Sequence, residues 1–393
     1  MSDKTTSNYQ QQFRQIAMDL GSVRDWQGWK EMYERLIYWE LELENLEDEG
    51  LKQILSTQKR EANEQFSRFI SRNYEDWIGD EKGAPLLTHK LFNTKLGPAL
   101  RNGEKVYFIV IDNLRLDQWK VIKPALAPYF NVKEDETYFG ILPTATHYAR
   151  NALFAGQMPL EISKKTPQFW VGEEDEEGKN IHEHDLLLEQ LKRLGLKDIK
   201  SSYNKITNLP AGKKLAETMN QLTHNQLNVI VYNFVDTLSH SKTEMKVIRE
   251  LAENDQAYRS LTKSWFANSP LFDILKQISE QKCKVIITTD HGTINVTEPT
   301  KLVGDRNLNT NLRYKVGRNM SYNSKEVFEV KNPESIGLPK NSISDLFVFA
   351  VQDRFFAYPN NYNHYVNYYR DTYQHGGVSL EEMIIPYVEL ESK

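Results

Sequence analysis

Three apolar runs of the sequence, at 106–111, 229–235 and 285–289, each end directly before an aspartate. Continuous β-branched runs of this kind predict strands that are buried on both faces of a mostly parallel sheet. Ligands bind beyond the carboxyl ends of such strands, and three carboxylates at one edge would repel each other unless a cation lay between them. The pattern therefore predicts a metal ion held by side chains at this edge. The three aspartates are Asp112, Asp236 and Asp290.

Histidines accompany these aspartates. One lies four residues after the second aspartate, one follows the third directly, and His375 lies further along the chain among turn residues. Oxygen and imidazole ligands together suit zinc or manganese. A two-metal site holds its ions roughly 3.5–4 Å apart, and the sequence offers ligands for two. We expect one ion on Asp236, His240 and His375, and the other on Asp112, Asp290 and His291.

Segment 142–148 offers a nucleophile for such a site, because it follows a predicted strand and opens a predicted helix. A helix N-terminus presents free backbone N–H groups and a positive dipole end, where a phosphate binds. Thr144 and Thr146 are both candidates. The pKa of a threonine hydroxyl is far too high for unaided ionisation, and coordination to a divalent ion removes that obstacle. The nucleophilic threonine would therefore also be a metal ligand.

Length and composition set the broad class of protein. The chain has 393 residues, 39% of them hydrophobic, which predicts two or three domains with packed cores. Its formal net charge of -5 gives no global signal for nucleic-acid binding, so any basic surface must be local. The single Cys283 excludes an intramolecular disulfide framework and fits a reducing compartment. No stretch resembles a signal peptide or approaches the ~18 apolar residues of a membrane span, so we expect a cytoplasmic protein.

Two units are expected along the chain. Residues 1–82 lack strand-like runs and predict an all-α three-helix bundle, whose helices end at Gly21, Gly50 and Gly79. Residues 83–393 alternate between strand and helix patterns, which predicts an α/β domain with a mostly parallel sheet flanked by helices.

Aromatic side chains recur at helical spacing in the bundle, and most of them predict its core. Trp26, Trp29 and Trp39 are also candidates for a surface shared with a second copy of the chain or with another protein. Because the core strands all lie beyond Val106, we expect the α/β domain to fold without residues 1–80.

A basic segment at 301–325 contains six Lys or Arg residues against one acid, with tyrosines between them. It belongs to a polar stretch, 295–345, that predicts a functional or mobile loop. Cations and aromatic rings together suit a flexible phosphodiester strand, and a solvated loop is the alternative. Near the ligand motifs, Arg150 is predicted to contact phosphate, with an ion pair as its alternative. The predicted substrate contacts are Asn113, Arg150, Arg313, Lys315 and Arg318.

The order of these motifs resembles the alkaline-phosphatase superfamily, and within it the PglZ-domain proteins. That superfamily places an Asp after its first strand, a Thr or Ser nucleophile at a helix start, an Asp-x-x-x-His, an Asp-His pair and a late His. The present sequence fills these positions in order over residues 105–390. The superfamily places its nucleophile three residues after a proline and ten before a glycine, and Thr146 has that spacing from Pro143 and Gly156. The resemblance implies zinc, and the mixed ligand set would also accept manganese.

A closer resemblance is to PorX-type response regulators of type IX secretion, which combine a receiver domain, a helical bundle and a PglZ domain. The segment 371–382 is typical of them. The first strand-like run begins only at Val106, so no receiver domain is expected here and control by aspartyl phosphorylation is not carried over. The resemblance implies the effector part of a two-component system. A sigma factor or a secretion component is the implied partner, and a homodimer is an open alternative.

Three functions are compatible with these motifs. The first is a zinc-dependent phosphodiesterase for short or cyclic oligonucleotides, because positive charge is scarce within the ligand motifs and concentrated in 301–325. The second is a non-catalytic, metal-stabilised signalling module that docks to its partner through the aromatic bundle. The third is a phosphomonoesterase or a transferase on the same scaffold.

Overall fold

The structure, a computed structural model, describes residues 2–80, 82–175, 178–233 and 250–393, with side chains from residue 4 onward. Two of the predicted metal ligands, Asp236 and His240, lie outside the described residues.

Residues 2–80 form a bundle of the helices α1 (Ser2–Leu20), α2 (Trp26–Leu43) and α3 (Glu49–Gly79). The predicted helical unit is therefore confirmed. Asp25 and Asp48 cap α2 and α3, because each side chain accepts a hydrogen bond from a backbone N–H three residues later. The prediction that Gly50 ends the second helix is wrong. Gly50 lies in the first turn of α3, because Asp48 caps that helix just before it.

The rest of the described chain alternates between helices and strands. Its helices are α4 (Thr88–Leu91), α5 (Gly97–Arg101), α6 (Leu116–Leu126), α7 (Thr146–Ala155), α8 (Pro159–Lys165), α9 (Glu183–Arg193), α10 (Leu209–Glu217), α11 (Asp255–Ala267), α12 (Pro270–Ile278), α13 (Tyr362–Tyr369) and α14 (Leu380–Met383). Its strands are β1 (Val106–Ile111), β2 (Phe130–Phe139), β3 (Ser201–Ile206), β4 (Leu227–Tyr232), β5 (Lys284–Thr288), β6 (Ile294–Val296), β7 (Glu298–Val303), β8 (Tyr314–Gly317), β9 (Ser321–Tyr322), β10 (Val327–Val330), β11 (Leu346–Ala350), β12 (Arg354–Ala357), β13 (Thr372–Gln374) and β14 (Ile384–Ser392). None of the described helices is both long and apolar enough to cross a bilayer.

Six strands form the central sheet in the order β2-β14-β5-β1-β4-β3. The strands β5, β1, β4 and β3 are parallel, and β14 runs antiparallel between β5 and β2. Alternate residues of β1 belong to two different apolar cores, one on each face of the sheet. The predicted α/β fold with a mostly parallel sheet is confirmed. The edge strand β3 has no counterpart in the prediction, because its polar residues are mostly half-buried and give no strand pattern.

The polar stretch 295–345 is a folded part of the domain, and its prediction as a loop is wrong. It contributes strands to two small three-stranded sheets, β10-β11-β8 and β12-β7-β9. The later strands β11 and β12 complete these sheets and bring apolar partners such as Val348 and Phe356 onto Leu302. Short strands with few apolar residues of their own are stable here because the rest of their core comes from elsewhere in the chain.

The bundle packs directly on the α/β domain. The ring of Phe139, at the end of β2, lies 5.2–6.5 Å by ring centroid from Trp26, Phe66 and Trp77. Beyond it, the backbone N–H of Leu142 donates to the Tyr74 hydroxyl at 2.8 Å. One apolar core therefore runs through both units. Because of this shared core, we now expect the α/β domain not to fold stably without residues 1–80.

The bundle tryptophans belong to this shared core. Trp29 and Trp39 are 2% and 7% exposed, and Trp26 is half-buried and donates to the Gly83 carbonyl oxygen at 3.0 Å. These rings are therefore not an exposed docking surface. Docking to a sigma factor or a secretion component remains a prediction, but these tryptophans no longer support it.

Candidate metal centre

The sheet brings Asp112 and Asp290 together. Asp112 follows β1 directly, and Thr289 separates Asp290 from the end of β5, the neighbouring parallel strand. The two carboxylates and the His291 imidazole offer ligand atoms that all lie within 4.8 Å of one another, and all three residues are buried. Two carboxylates and an imidazole at this spacing form a donor set that suits a divalent transition metal.

Backbone amides hold one oxygen of Asp290. The N–H groups of His291 and Asn113 donate to its Oδ1 at 2.9 and 3.1 Å. Its Oδ2 is buried and accepts no hydrogen bond from any described residue. Burial raises the pKa of the Asp290 carboxyl, but nearby His291 and Arg150 outweigh it and hold this pKa below the ordinary value. A buried, ionised oxygen that no donor satisfies fits a metal ligand.

The His291 ring is oriented by its own main chain. Its Nδ1 lies 2.9 Å from the Gly292 carbonyl oxygen, so Nδ1 carries a proton and Nε2 is left to face the site. That Nε2 lies 3.6 Å from Asp290 Oδ2. Only glycine fits after this histidine, because a Cβ at Gly292 would lie 1.8 Å from the Glu381 carbonyl oxygen. In the Asp-His-Gly motif, the Gly292 carbonyl therefore orients the His291 ring, and the missing Cβ of Gly292 lets the turn pack against Glu381.

Thr146 opens α7 beside this cluster. Its Oγ1 lies 3.1 Å from His291 Nε2 and 3.4 Å from Asp112 Oδ1, and its side chain is half-buried. Thr144 is fully buried, donates to the Gly377 carbonyl oxygen at 2.7 Å and accepts from the Gly376 N–H at 3.1 Å. Of the two candidate nucleophiles, only Thr146 presents its hydroxyl to the cluster.

His375 lies beside the cluster without belonging to its three mutually close ligands. Its ring stacks on the His291 ring with 4.1 Å between centroids, and its Nδ1 lies 3.1 Å from the Thr144 carbonyl oxygen. Its predicted co-ligands, Asp236 and His240, lie outside the described residues. The described part of the chain therefore brings together Asp112, Asp290 and His291, the predicted ligands of one ion. Of the three predicted ligands of the other ion, it includes His375.

Arg150 supplies the fixed positive charge of the site. Its NH1 lies 3.1 Å from both Asp112 Oδ1 and Asn233 Oδ1, its Nε pairs with Glu183, and the side chain is 1% exposed. Burial lowers the pKa of this guanidinium, but the carboxylates of Glu183, Asp112 and Asp290 outweigh it and raise the pKa. Two roles were open for Arg150 from the sequence, a contact with phosphate and an ion pair. In the structure Arg150 forms ion pairs with Asp112 and Glu183. Glu183 gave no signal in the sequence, because it follows an acidic loop that predicts solvent exposure.

Two of the six cations in the basic segment are buried inside the domain, which corrects two predicted substrate contacts. Arg313 is fully buried and donates to both carboxylate oxygens of Glu382 at 3.0 and 2.6 Å. Lys315 is 2% exposed and donates to the Asn309 carbonyl oxygen at 2.6 Å. Both cations therefore stabilise the small sheets. Arg318 is exposed, as its predicted role requires.

Asn113 supports the site through its backbone. It is buried and has a left-handed backbone, with φ of 60°, which aims its N–H at Asp290. Its predicted contact with substrate stays a prediction.

The fold and the site together define an alkaline phosphatase-like domain of the phosphoesterase type. Residues 91–390 match the family model of the BREX system PglZ alkaline phosphatase-like domain, and the chain belongs to this family. Residues 1–78 match the PorX response regulator linker domain. Both matches confirm the resemblance that the motifs carried.

Two further comparisons concern curated proteins and solved structures. Among curated proteins, none matches the sequence significantly. Among solved structures, mouse ectonucleotide pyrophosphatase/phosphodiesterase 5 is similar, with 11% sequence identity and a TM-score of 0.48, over 72% of this chain and 88% of that chain.

Replacing Asp290 by asparagine, or His291 by alanine, is expected to reduce strongly the zinc-induced rise in melting temperature. A ligand that binds only the folded state raises stability, and either change removes a donor from the cluster. Calorimetric titration with zinc and thermal melts would measure both effects. His224→Ala is the matched control, because His224 is exposed and lies away from the ligand motifs. Equal zinc binding by all four proteins would exclude this cluster as the site.

Proposed function

We propose that this chain is a metal-dependent phosphodiesterase whose nucleophile is Thr146. One observation carries the proposal: the Thr146 hydroxyl lies within 3.4 Å of two members of a buried Asp-Asp-His cluster and stands at the first residue of α7. A nucleophile, a metal-binding donor set and a helix N-terminus for phosphate are the parts that phosphoryl transfer requires.

The donors present fit a divalent ion, with zinc as the proposed metal and manganese as the alternative. Asp112, Asp290, His291 and the Thr146 hydroxyl would hold one ion. His375, with Asp236 and His240, would hold a second. A bound ion would lower the pKa of the Thr146 hydroxyl and offset charge on the phosphate.

Hydrolysis would then proceed in two steps through Thr146. Thr146 Oγ1 attacks phosphorus and the bond from phosphorus to the leaving oxygen breaks in line. The threonine proton passes to solvent, and solvent protonates the leaving oxygen, which departs as an alcohol. Water hydrolyses the resulting phosphothreonine ester, which returns the hydroxyl and releases a phosphomonoester. Arg150 balances the charge of Asp112 and Glu183 throughout, because its guanidinium is buried between them.

We propose short or cyclic oligonucleotides as substrates and a role as the effector part of a type IX secretion regulator. The match of the bundle to a response-regulator linker supports that role. With Arg313 and Lys315 buried, the cations left for a polyanion in this region are exposed ones. Arg306 and Arg318 line a cavity of about 970 Å³ together with acidic and asparagine side chains.

The substrate class can be tested by comparing kcat/KM for a bis-aryl phosphate and its mono-aryl partner at matched pH and zinc. We expect preference for the diester, because no described lysine or arginine other than Arg150 makes an ion pair with a carboxylate of the cluster. A dianionic phosphate would need further positive charge. A clear preference for the monoester would identify a phosphatase instead.

The oligonucleotide contact has its own test. Arg306→Ala with Arg318→Ala should raise KM for an oligonucleotide more than it lowers kcat, and the effect should shrink as salt rises. Lys325→Ala is the control, because Lys325 is an exposed cation of the same segment that does not line the cavity. An unchanged KM in the double variant would remove this surface from the proposal.

A further inference from the structure

A partly buried charge network joins the bundle to the α/β domain at Lys59 of α3. The Lys59 ammonium lies 2.8 Å from Glu40 of α2 and 3.6 Å from both Asp255 and Glu381 of the α/β domain. Arg259 of α11 adds a second link, because it pairs with Glu40 at 2.8 Å. Charges removed from water must be matched by partners of opposite sign, so these groups fix the bundle and the domain relative to each other.

Asp255 carries this network to the metal centre. It accepts from Arg115 at 3.0 Å and from the Tyr373 hydroxyl at 2.7 Å. The Arg115 guanidinium lies 5.2 and 5.3 Å from the ring centroids of Tyr258 and Tyr373, and the two rings stack on each other. Arg115 stands three residues after Asp112, and Tyr373 stands two residues before His375. One carboxylate therefore ties together the two loops that present these ligands.

A parallel link runs through Asn63, one turn after Lys59 on α3. Its amide donates to the Glu381 carboxylate at 3.0 and 3.2 Å, and its Oδ1 accepts from the Leu380 N–H at 2.8 Å. The next residue, Glu382, accepts at its carbonyl oxygen from the Gly292 N–H at 3.0 Å. Helix α3 is thus hydrogen-bonded to the segment that packs against the Asp-His-Gly turn.

We infer that Lys59 is a positioning residue for the metal centre. Helix α3 of the bundle holds Asp112 and His375 in place through Asp255. A displacement of α3 therefore changes the affinity of the site for a divalent ion. This inference rests on the proposed metal site. The chain of contacts is short, because a single carboxylate separates Lys59 from the Arg115 and Tyr373 side chains. Without the ammonium, Glu381 loses this cation and Asp255 keeps its pair with Arg115, so the charge balance and the geometry around Arg115 change.

Lys59→Met and Tyr373→Phe should each weaken binding of divalent cobalt, followed by its absorption spectrum, by about 10-fold. This is the lower end of the loss expected for an outer-shell partner, because both residues act on the ligands only through Asp255 and its neighbours. Lys59→Arg should restore it. The double variant should lose less than the product of the single losses, because both act through Asp255. Arg35→Met is the control. It breaks the 2.8 Å pair with Asp19 inside the bundle and should lower the melting temperature with no change in cobalt affinity.

Hydrogen exchange of the metal-free protein separates this inference from the metal proposal. We expect Lys59→Met to speed amide exchange in 112–117 and 372–377, and Arg35→Met to leave those segments unchanged. Tyr373→Phe removes one hydroxyl, so it reports on the same loops even if Lys59→Met does not fold. Equal effects of the Lys59 and Arg35 variants on cobalt affinity or on exchange would overturn the inference. Wild-type protein that binds no cobalt would instead overturn the proposed function, and the exchange data would still decide the coupling.

Discussion

Thr146→Val is expected to reduce hydrolysis of a bis-aryl phosphate by several powers of ten, because it removes the nucleophilic oxygen and keeps the shape of the side chain. The fold should persist, since the Thr146 side chain is only half-buried and the ligand carboxylates and imidazole remain. The measurements are kcat at saturating zinc, the zinc stoichiometry and the melting temperature.

Two further substitutions make the result specific. Thr146→Ser keeps a hydroxyl and should retain measurable activity. Thr144→Ala should lower the melting temperature and have little effect on kcat, because the Thr144 hydroxyl is hydrogen-bonded to Gly376 and Gly377 and not to the cluster. If Thr146→Val stays fully active, a bound water is the nucleophile and the covalent route is wrong. If Thr144 alone proves essential, the nucleophile lies two residues earlier.

Removing residues 1–80 is expected to prevent the α/β domain from folding stably. Phe139 would lose three aromatic neighbours, and Arg259 and Glu381 would lose Glu40 and Lys59. A buried charge left without its partner costs roughly 3–5 kcal/mol, against a total stability of about 5–15 kcal/mol for a typical domain. Circular dichroism and a thermal melt of residues 81–393 would show the loss. A cooperative melt near that of the full chain would mean that the shared core is dispensable.

The parts of the site that follow strands could be predicted from sequence. A continuous apolar run fixes a buried strand, and the residue just after it must lie at the carboxyl edge of the sheet, which places Asp112 and Asp290 together. The resemblance to the superfamily pointed to Thr146, because that superfamily places its nucleophile at this spacing from a proline and a glycine. Here the glycine, Gly156, ends α7 with a left-handed φ of 65°.

Other contacts depend on partners that no local pattern reveals. A cation in a polar stretch predicts a solvated surface, but Arg313 is buried because Glu382, far along the chain, accepts from it. The same holds for Glu183, whose burial depends on Arg150. The aromatic stripe of the bundle predicted helices correctly and gave no indication that Phe139 covers it.

The most direct test of the central claim is the rate of bis-aryl phosphate hydrolysis as a function of added zinc, for the wild-type chain and for Asp290→Asn. We predict a rate that rises and saturates with zinc in the wild type, is lost on chelation, and stays at background in the variant, because Asp290 is one of the three mutually close donors. Hydrolysis that is independent of zinc, or equal in both proteins, would contradict a metal centre built on Asp112, Asp290 and His291.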